Sequence, residues 1–181
     1  MKNRKQNRLS GYDYSRAGYY FITICTQDRE NHLGNISGGE MILSEYGTIA
    51  VIYWNEIPKH YKNIKLDVWV IMPNHIHGII VISASSVGTA HCAVPTNTKL
   101  VSLSQIVKSL KDVTIKQIRS KFGDVRFSWQ RSFYDHAIRD EQSLHRIREY
   151  IKHNPARWDL DVENTRNFNN NTRAYYNNIF N

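Results

Sequence analysis

The sequence predicts an α+β fold in which an antiparallel sheet carries helices packed on one face, of the ferredoxin or RRM type. β-Branched and aromatic runs indicate strands, and apolar residues at helical spacing indicate helices. These segments follow one another as strand, helix, strand, strand, helix, strand, helix. The chain has 181 residues, enough for one domain with its own core. Its 41% hydrophobic and 22% charged residues exclude a disordered protein.

In the first half of the chain, strands are expected at residues 19–26, 64–72 and 75–83. The stretch Gly38-Gly39-Glu40 marks a turn after an expected hairpin. Ser44 is a typical N-cap, and it is expected to begin a helix that extends to about His60. Pro73-Asn74 ends the strand at 64–72, so this strand is expected to pair as a hairpin with the strand at 75–83.

In the second half, residues 102–121 have apolar side chains along one side and predict an amphipathic helix that Gly123 ends. Residues 125–138 mix aromatic and basic side chains, which favours a strand with an extended loop. Asp140 or Ser143 is expected to cap a last helix that runs to about His153.

These elements form one predicted domain over residues 18–158, between a basic N-terminal arm, 1–17, and an Asn-rich C-terminal tail, 159–181. The tail lacks a clear apolar period, and we expect it to be loosely packed. Residues 84–99 are small, polar and aperiodic, which indicates a mobile linker inside the domain.

Composition limits the partners and the compartment. The chain has 24 Lys and Arg against 16 Asp and Glu, a formal charge of +8, which favours nucleic acid as a partner. The alternative is an ordinary solvated surface. Its two cysteines are far apart and exclude a disulfide scaffold or a zinc ribbon, so a cytoplasmic location is expected. No secretory signal and no membrane span is expected.

The densest chemical signal is the segment from Pro73 to Gly78. Side chains at i and i+2 of a strand share a face, so His75 and His77 present two imidazoles side by side. Such a pair is a competent set of metal ligands. Ile76 is expected to face the core, and Gly78 leaves room for a close approach. The alternative is two histidines on the solvent face of an amphipathic strand.

The last predicted helix supplies a second signal. Tyr150 lies at the border of its apolar stripe, where the hydroxyl could emerge at the edge of the sheet, and Asn154 is one turn further on the same side. The alternative is a half-buried core tyrosine and an Asn that only ends a helix before proline. Two imidazoles and an amide oxygen leave coordination positions open, which suits Mn²⁺ or Mg²⁺ and also allows zinc. A tyrosine beside such a metal could act as a nucleophile.

Four segments carry a resemblance to a known family. They are GYYFITICTQDR, VWVIMPNHIHGII, WQRSFYDHAIRD and REYIKHNPARW. Over residues 10–160 the chain resembles the REP-associated tyrosine transposases (RAYTs), which are HUH single-strand transposases. The series MPN-His-hydrophobe-His, HAIR and Tyr-Ile-x-x-Asn-Pro is specific to that family.

The resemblance implies a mechanism. It implies a metal site formed by His75, His77 and Asn154, and a nucleophile at Tyr150. It implies action on single-stranded DNA near hairpins, with a 5′-phosphotyrosine intermediate and a free 3′-OH. Rejoining then needs no ATP, and no Walker-type phosphate loop or other nucleotide-cofactor motif is present. A chain of this kind is expected to act as a monomer rather than as a homodimer.

Candidate DNA contacts are weaker. The arm resembles the segment with which the family reads bases beside a hairpin. The helix predicted over 102–121 has a basic face, which could bind DNA or be only solvated. His136 could contact DNA, position Tyr150 or be structural, and we favour the structural role. The candidates are Arg4, Lys5, Arg8, Lys108, Lys111, Arg131, His136 and Arg139.

Two other functions stay open. One is a DNA-hairpin-binding protein on the same fold without chemistry, such as a repressor or a domesticated transposase. The other is a small zinc hydrolase that uses His75 and His77, although an obvious third ligand and a general-base Glu are missing from that segment.

Overall fold

The computed structural model describes residues 13–84, 101–167 and 169–180, and an antiparallel sheet organises them. The elements are β1 (Gly18–Cys25), β2 (Gly34–Ser37), β3 (Glu40–Leu43), α1 (Glu45–His60), β4 (Ile64–Met72), β5 (His75–Ile82), α2 (Leu103–Phe122), β6 (Tyr134–Ile138), α3 (Glu141–His153), a 3-10 helix (Pro155–Leu160) and α4 (Asn170–Phe180).

The main sheet has the strand order β4-β5-β1-β6, and β1 pairs antiparallel with both β5 and β6. Along the chain its elements alternate as β1-α1-β4-β5-α2-β6, which is the ferredoxin-like arrangement. The predicted fold class is therefore confirmed. The predicted turn at Gly38-Gly39 joins β2 and β3, which form a separate hairpin whose strands were not predicted.

Two apolar clusters lie on opposite faces of the sheet. One contains β1 residues such as Ile22 and Ile24 with the buried residues of α1 and α2. The other joins Phe21 and Ile79 to apolar residues of α3 and α4. The helices α1 and α2 thus occupy one face as expected. The expectation that all helices share that face is wrong for α3, which packs with α4 on the second face because its apolar residues meet Phe21 and Ile79.

The pairing of β1 with β5 places polar side chains on the face that α3 and α4 cover. His77 is opposite Thr23 and His75 is opposite Cys25, while Ile76 points to the other face and is buried there. On the far side of β1, Thr23 pairs with Tyr134 of β6. Because alternate side chains of a strand share a face, the two histidines lie under the helices instead of in solvent.

The predicted helix ends are confirmed. The side chain of Ser44 accepts a hydrogen bond from the Gly47 backbone N–H at the start of α1. Asp140, of the two candidates, is the N-cap of α3. Gly123 ends α2 in the left-handed region, with φ 65°.

The expectation of a loosely packed tail is wrong for the described part of residues 159–181. Asp161, Asn164 and Thr172 are buried there, and so is Ile179 of α4. The apolar stripe of α4 is short, with Tyr175, Tyr176, Ile179 and Phe180 facing the second apolar cluster. The stripe is interrupted by asparagines, which are poor helix formers, so the sequence did not predict a helix here.

Residues 1–12 of the predicted arm and 85–99 of the predicted linker lie outside the described residues. Among the helices of the described ranges, none has the length and apolar character to cross a lipid bilayer.

Gly78 is a point of close approach, as predicted, and the group that approaches is the indole of Trp54 on α1. A Cβ on Gly78 would overlap that ring, lying 2.7 Å from Trp54 Cη2 and 3.0 Å from Trp69 Cβ. We expect Gly78→Ala to lower the free energy of unfolding by about 1–3 kcal/mol, because the packed core must shift. Urea unfolding measures this change. Trp54→Phe shortens the ring, so the same substitution should cost less in that background, and an equal cost in both would contradict the steric explanation.

Candidate functional site

Three buried side chains meet beneath α3 and the 3-10 helix. His75 and His77 come from β5, and Asp161 follows the 3-10 helix. Asp161 Oδ2 lies 3.3 Å from His77 Nε2 and 3.8 Å from His75 Nε2. One ligand atom from each residue lies within 4.8 Å of the others. All three side chains are fully buried, so the alternative of two solvent-facing histidines is wrong.

Each imidazole is held by a hydrogen bond on its Nδ1. His77 Nδ1 is 2.9 Å from Thr23 Oγ1, the residue opposite it on β1. His75 Nδ1 is 2.8 Å from the side-chain oxygen of Asn74. Both rings therefore direct Nε2 toward Asp161, and His75 Nε2 has no hydrogen-bond partner among the described residues.

Tyr150 reaches this cluster from α3. Its hydroxyl donates to Asp161 Oδ2 at 3.1 Å and lies 3.0 Å from His77 Nε2. The expectation that the hydroxyl emerges at the sheet edge is wrong, since Tyr150 is only 4% exposed. The reason is α4, whose Tyr175, Tyr176 and Phe180 rings lie 6.0–6.2 Å from the Tyr150 ring, centre to centre.

Asn154 follows Tyr150 by one turn, at the end of α3. Its side-chain N–H donates to Asp161 Oδ2 at 2.6 Å. Its side-chain oxygen is buried and has no hydrogen-bond partner among the described residues. The predicted set of His75, His77 and Asn154 therefore lies together around Asp161, a residue that the sequence did not single out.

Burial and neighbouring groups shift the pKa values here. Burial, followed by the neighbouring His77, lowers the pKa of His75 well below its usual value, so this imidazole is neutral. Burial, followed by the charge of Asp161, raises the pKa of Tyr150 well above its usual value, so the phenol keeps its proton. Burial opposes ionisation of Asp161, but the two histidines and the Glu163 backbone N–H hold its pKa below the usual range.

This donor set fits a divalent cation. His75 Nε2 and Asn154 Oδ1 are both buried without a hydrogen-bond partner among the described residues, and a cation would satisfy both. With His77 Nε2 and the Asp161 carboxylate they form a mixed nitrogen and oxygen set, which suits Mn²⁺ and can also take Mg²⁺ or zinc. Asp161 supplies the third ligand that the zinc-hydrolase alternative lacked, although the cluster includes no Glu from the described ranges as a general base.

A cleft of about 190 Å³ opens beside the cluster, between the β1–β6 edge and the segment after the 3-10 helix. It is lined by Thr23, which bonds to His77, and by Tyr176, which lies against Tyr150. Glu163 and Arg29 form an ion pair of 3.0 Å at this cleft. The cleft brings solvent close to otherwise buried groups.

The other candidate residues are scattered. Arg131 and Arg139 are exposed beside β6. His136, on β6, is half-buried with its ring 5.5 Å from that of Phe180, and the structural role that we favoured stays a prediction. Arg4, Lys5 and Arg8 lie outside the described residues.

The two lysines of α2 lie on the opposite side of the sheet from the cluster. Lys108 is exposed and pairs with Asp112 at 2.6 Å. Lys111 is buried, and its ammonium donates to the backbone carbonyls of Gln130 and Ser132. Lys111 therefore holds the loop before β6 and is not available to a phosphate.

Comparison with known proteins gives relatives along most of the chain. An uncharacterized protein of Haemophilus influenzae is 36% identical over 170 residues, which cover 89% of this chain and 93% of that protein. A second protein of that organism, named "Putative REP-associated tyrosine transposase", is 26% identical over 151 residues, or 82% of this chain and 77% of its own. No protein-family model matches the sequence.

Among solved structures, a REP-associated tyrosine transposase bound to a REP hairpin has the same fold. Its TM-score with this chain is 0.57 at 19% sequence identity, and the match covers 83% of this chain and 73% of that one.

Cation binding can be tested by thermal unfolding. At a Mn²⁺ concentration of about 100 times Kd, we expect the Tm to rise by about 5–10 °C, because the ion binds only the folded protein. His77→Ala removes a ligand and should abolish the rise. His136→Ala is the control, because this histidine lies outside the cluster, and it should keep the rise. A rise that survives His77→Ala would contradict a cation site at the cluster.

Proposed function

This chain belongs to the family of REP-associated tyrosine transposases, DNA-processing enzymes, and from that premise we propose that it cleaves and rejoins single-stranded DNA at hairpin sequences. The observation that carries the proposal is the position of Tyr150, whose hydroxyl touches His77 and Asp161 within a cluster fit for a cation. A nucleophile and a group that binds phosphate oxygens would thereby be brought to one point. The structural relative with a bound REP hairpin supports the choice of a hairpin substrate.

In the proposed first step, Tyr150 Oη attacks the scissile phosphorus. An oxygen–phosphorus bond forms to the tyrosine and the bond to the 3′ oxygen breaks. The leaving 3′ oxygen takes up one proton, so the strand ends in a free 3′-OH. The phenol donates its hydrogen bond to Asp161 Oδ2, so this carboxylate holds the hydroxyl in place. The proton that Tyr150 loses is matched by the proton that the leaving 3′ oxygen gains. In the second step, a 3′-OH attacks the 5′-phosphotyrosine and releases Tyr150. The number of phosphodiester bonds is conserved, so no nucleotide cofactor is required.

A divalent cation, Mg²⁺ or Mn²⁺, would be held by His75, His77 and Asn154 with Asp161. When bound there, it would polarise the phosphate and neutralise charge that develops on its oxygens. The neutral state of His75 supports this role, because only a neutral imidazole has a free lone pair for the ion.

We further propose that the protein acts as a monomer. Support comes from Tyr150 and its cluster partners, which all belong to one chain and lie within hydrogen-bonding distance without a second copy. Exposed Arg131 and Arg139 are proposed phosphate contacts, together with Arg4, Lys5 and Arg8 of the arm. The cytoplasm is the proposed location, since Cys25 is a free buried thiol.

A covalent-adduct assay tests the nucleophile. Labelled single-stranded hairpin oligonucleotides, ideally the palindromes that flank the gene, are mixed with the protein and Mn²⁺ and resolved on denaturing gels. We expect an adduct with wild type and none with Tyr150→Phe, because phenylalanine has no nucleophilic oxygen. His77→Ala should lower the adduct yield by at least about 100-fold. Tyr175→Phe is the matched control, because Tyr175 belongs to α4 and its ring lies beside that of Tyr150. This variant should keep the adduct.

The same assay distinguishes the non-catalytic alternative. Tight hairpin binding by wild type, Tyr150→Phe and His77→Ala, with no adduct from any of them, would favour a hairpin-binding protein without chemistry. An adduct that persists in Tyr150→Phe would exclude Tyr150 as the nucleophile.

DNA cannot reach Tyr150 while α4 covers it, so α4 must move before attack. The Phe180 ring packs between α4 and the sheet. Its centre lies 4.5 Å from that of Tyr176 on α4 and 4.9 Å from that of Phe21 on β1. We expect Phe180→Ala to loosen α4 and to raise the rate of adduct formation several-fold at saturating DNA. Asn178→Ala, at an exposed position of α4, should leave the rate unchanged. Equal rates in wild type and Phe180→Ala would mean that α4 does not limit access.

A further inference from the structure

Asn74 lies at the turn between β4 and β5 and is 1% exposed. Its side-chain nitrogen donates to the backbone carbonyl oxygens of Arg29 and Glu163, each at 2.9 Å. Its side-chain oxygen lies 2.8 Å from His75 Nδ1. One buried amide therefore links its neighbour His75 to two distant segments of the chain.

These contacts determine the orientation of the amide and of the ring. The two backbone carbonyls can only accept, so the NH₂ group must face them and the side-chain oxygen must face His75. That oxygen can only accept, so His75 Nδ1 must carry the hydrogen. A neutral imidazole has one N–H, which leaves a lone pair on Nε2, the atom directed toward Asp161.

We propose that Asn74 is a positioning residue that selects the Nδ1–H tautomer of His75 and thereby makes Nε2 a metal ligand. The inference rests on the proposed metal site and deepens it. In the other tautomer Nε2 would carry a hydrogen and could not bind a cation, and Nδ1 would place a lone pair against the Asn74 oxygen. Both acceptors would then lie 2.8 Å apart without a hydrogen between them, an arrangement that the buried site disfavours.

Asn74 also positions Asp161 indirectly. The bond to the Glu163 carbonyl holds the segment that carries Asp161 two residues earlier, and the Asp161 side chain accepts from the Glu163 backbone N–H at 2.7 Å. The bond to the Arg29 carbonyl holds a residue with φ 56°, a conformation that side chains other than Gly adopt infrequently. Removal of the amide should therefore loosen both sides of the cluster.

The first test is the tautomer of His75 in the metal-free protein without DNA. Two-bond ¹H–¹⁵N spectra separate the Nδ1–H and Nε2–H forms, and a His75→Gln sample assigns the signal. Wild type should show the Nδ1–H form, and an Nε2–H form would overturn the proposal whether or not any variant folds. This readout is independent of the adduct assay, so failure of the proposed function and failure of this inference are distinguishable.

The second test uses variants whose folding is checked by circular dichroism. Asn74→Ala should mix the two tautomers and weaken Mn²⁺ binding about 10–100-fold in calorimetry. Asn74→Asp keeps an acceptor for His75 Nδ1, so it should restore the Nδ1–H form and retain more Mn²⁺ affinity than Asn74→Ala.

Asn164→Ala is the matched control. Asn164 is 3% exposed and bonds to backbone groups at Trp158 and Arg166, without contact with His75. It should leave the tautomer unchanged. Wild-type tautomer and wild-type Mn²⁺ affinity in Asn74→Ala would overturn the proposal, and so would an equal loss of affinity in Asn164→Ala.

Discussion

The rest of the site depends on Asp161, a buried carboxylate that pairs with two histidines and, among the described residues, with no Lys or Arg. Asp161 is 1% exposed, and a buried charge that loses its partners costs about 3–5 kcal/mol. Its Oδ2 is therefore surrounded by the Tyr150 hydroxyl, the Asn154 amide and the His77 ring, while Oδ1 accepts from a backbone N–H. Satisfying this one group brings α3, β5 and the segment after the 3-10 helix to a common point.

The same constraint explains why the C-terminal segment belongs to the site. Residues after α3 would otherwise have little reason to lie across a polar part of the sheet. Asp161 enters the cluster, Glu163 pairs with Arg29 and bonds to Asn74, and α4 then covers the aromatic side chains that remain on that face. The segment thus completes the cluster of donors and at the same time encloses Tyr150.

Local signals predicted the scaffold well, because strand alternation and helix caps act over a few residues. His75 and His77 were found through the two-residue period of a strand, and Tyr150 and Asn154 through the period of a helix and the family resemblance. Asp161 and Asn74 were not given a role, since each acquires one only through contacts with distant segments, such as the 3.3 Å approach of Asp161 to His77. Asp161 lies between Asp159 and Glu163 in the chain, and no local pattern marks it as the acidic residue that makes such a contact. Burial of Tyr150 was missed for the same reason.

The arrangement of Tyr150 separates two requirements of the proposed chemistry. Burial beside Asp161 keeps the phenol protonated and inert, as the raised pKa requires. Tyr150 must lose that proton before its oxygen can attack, and the positive charge of a cation in the site would favour this loss. A cation held by Asp161 and the imidazoles would offset the Asp161 charge, so the pKa of Tyr150 would be raised less when the site is filled. In the proposed reaction, opening of α4 is therefore a steric condition and filling of the cation site an electrostatic one, and neither would replace the other.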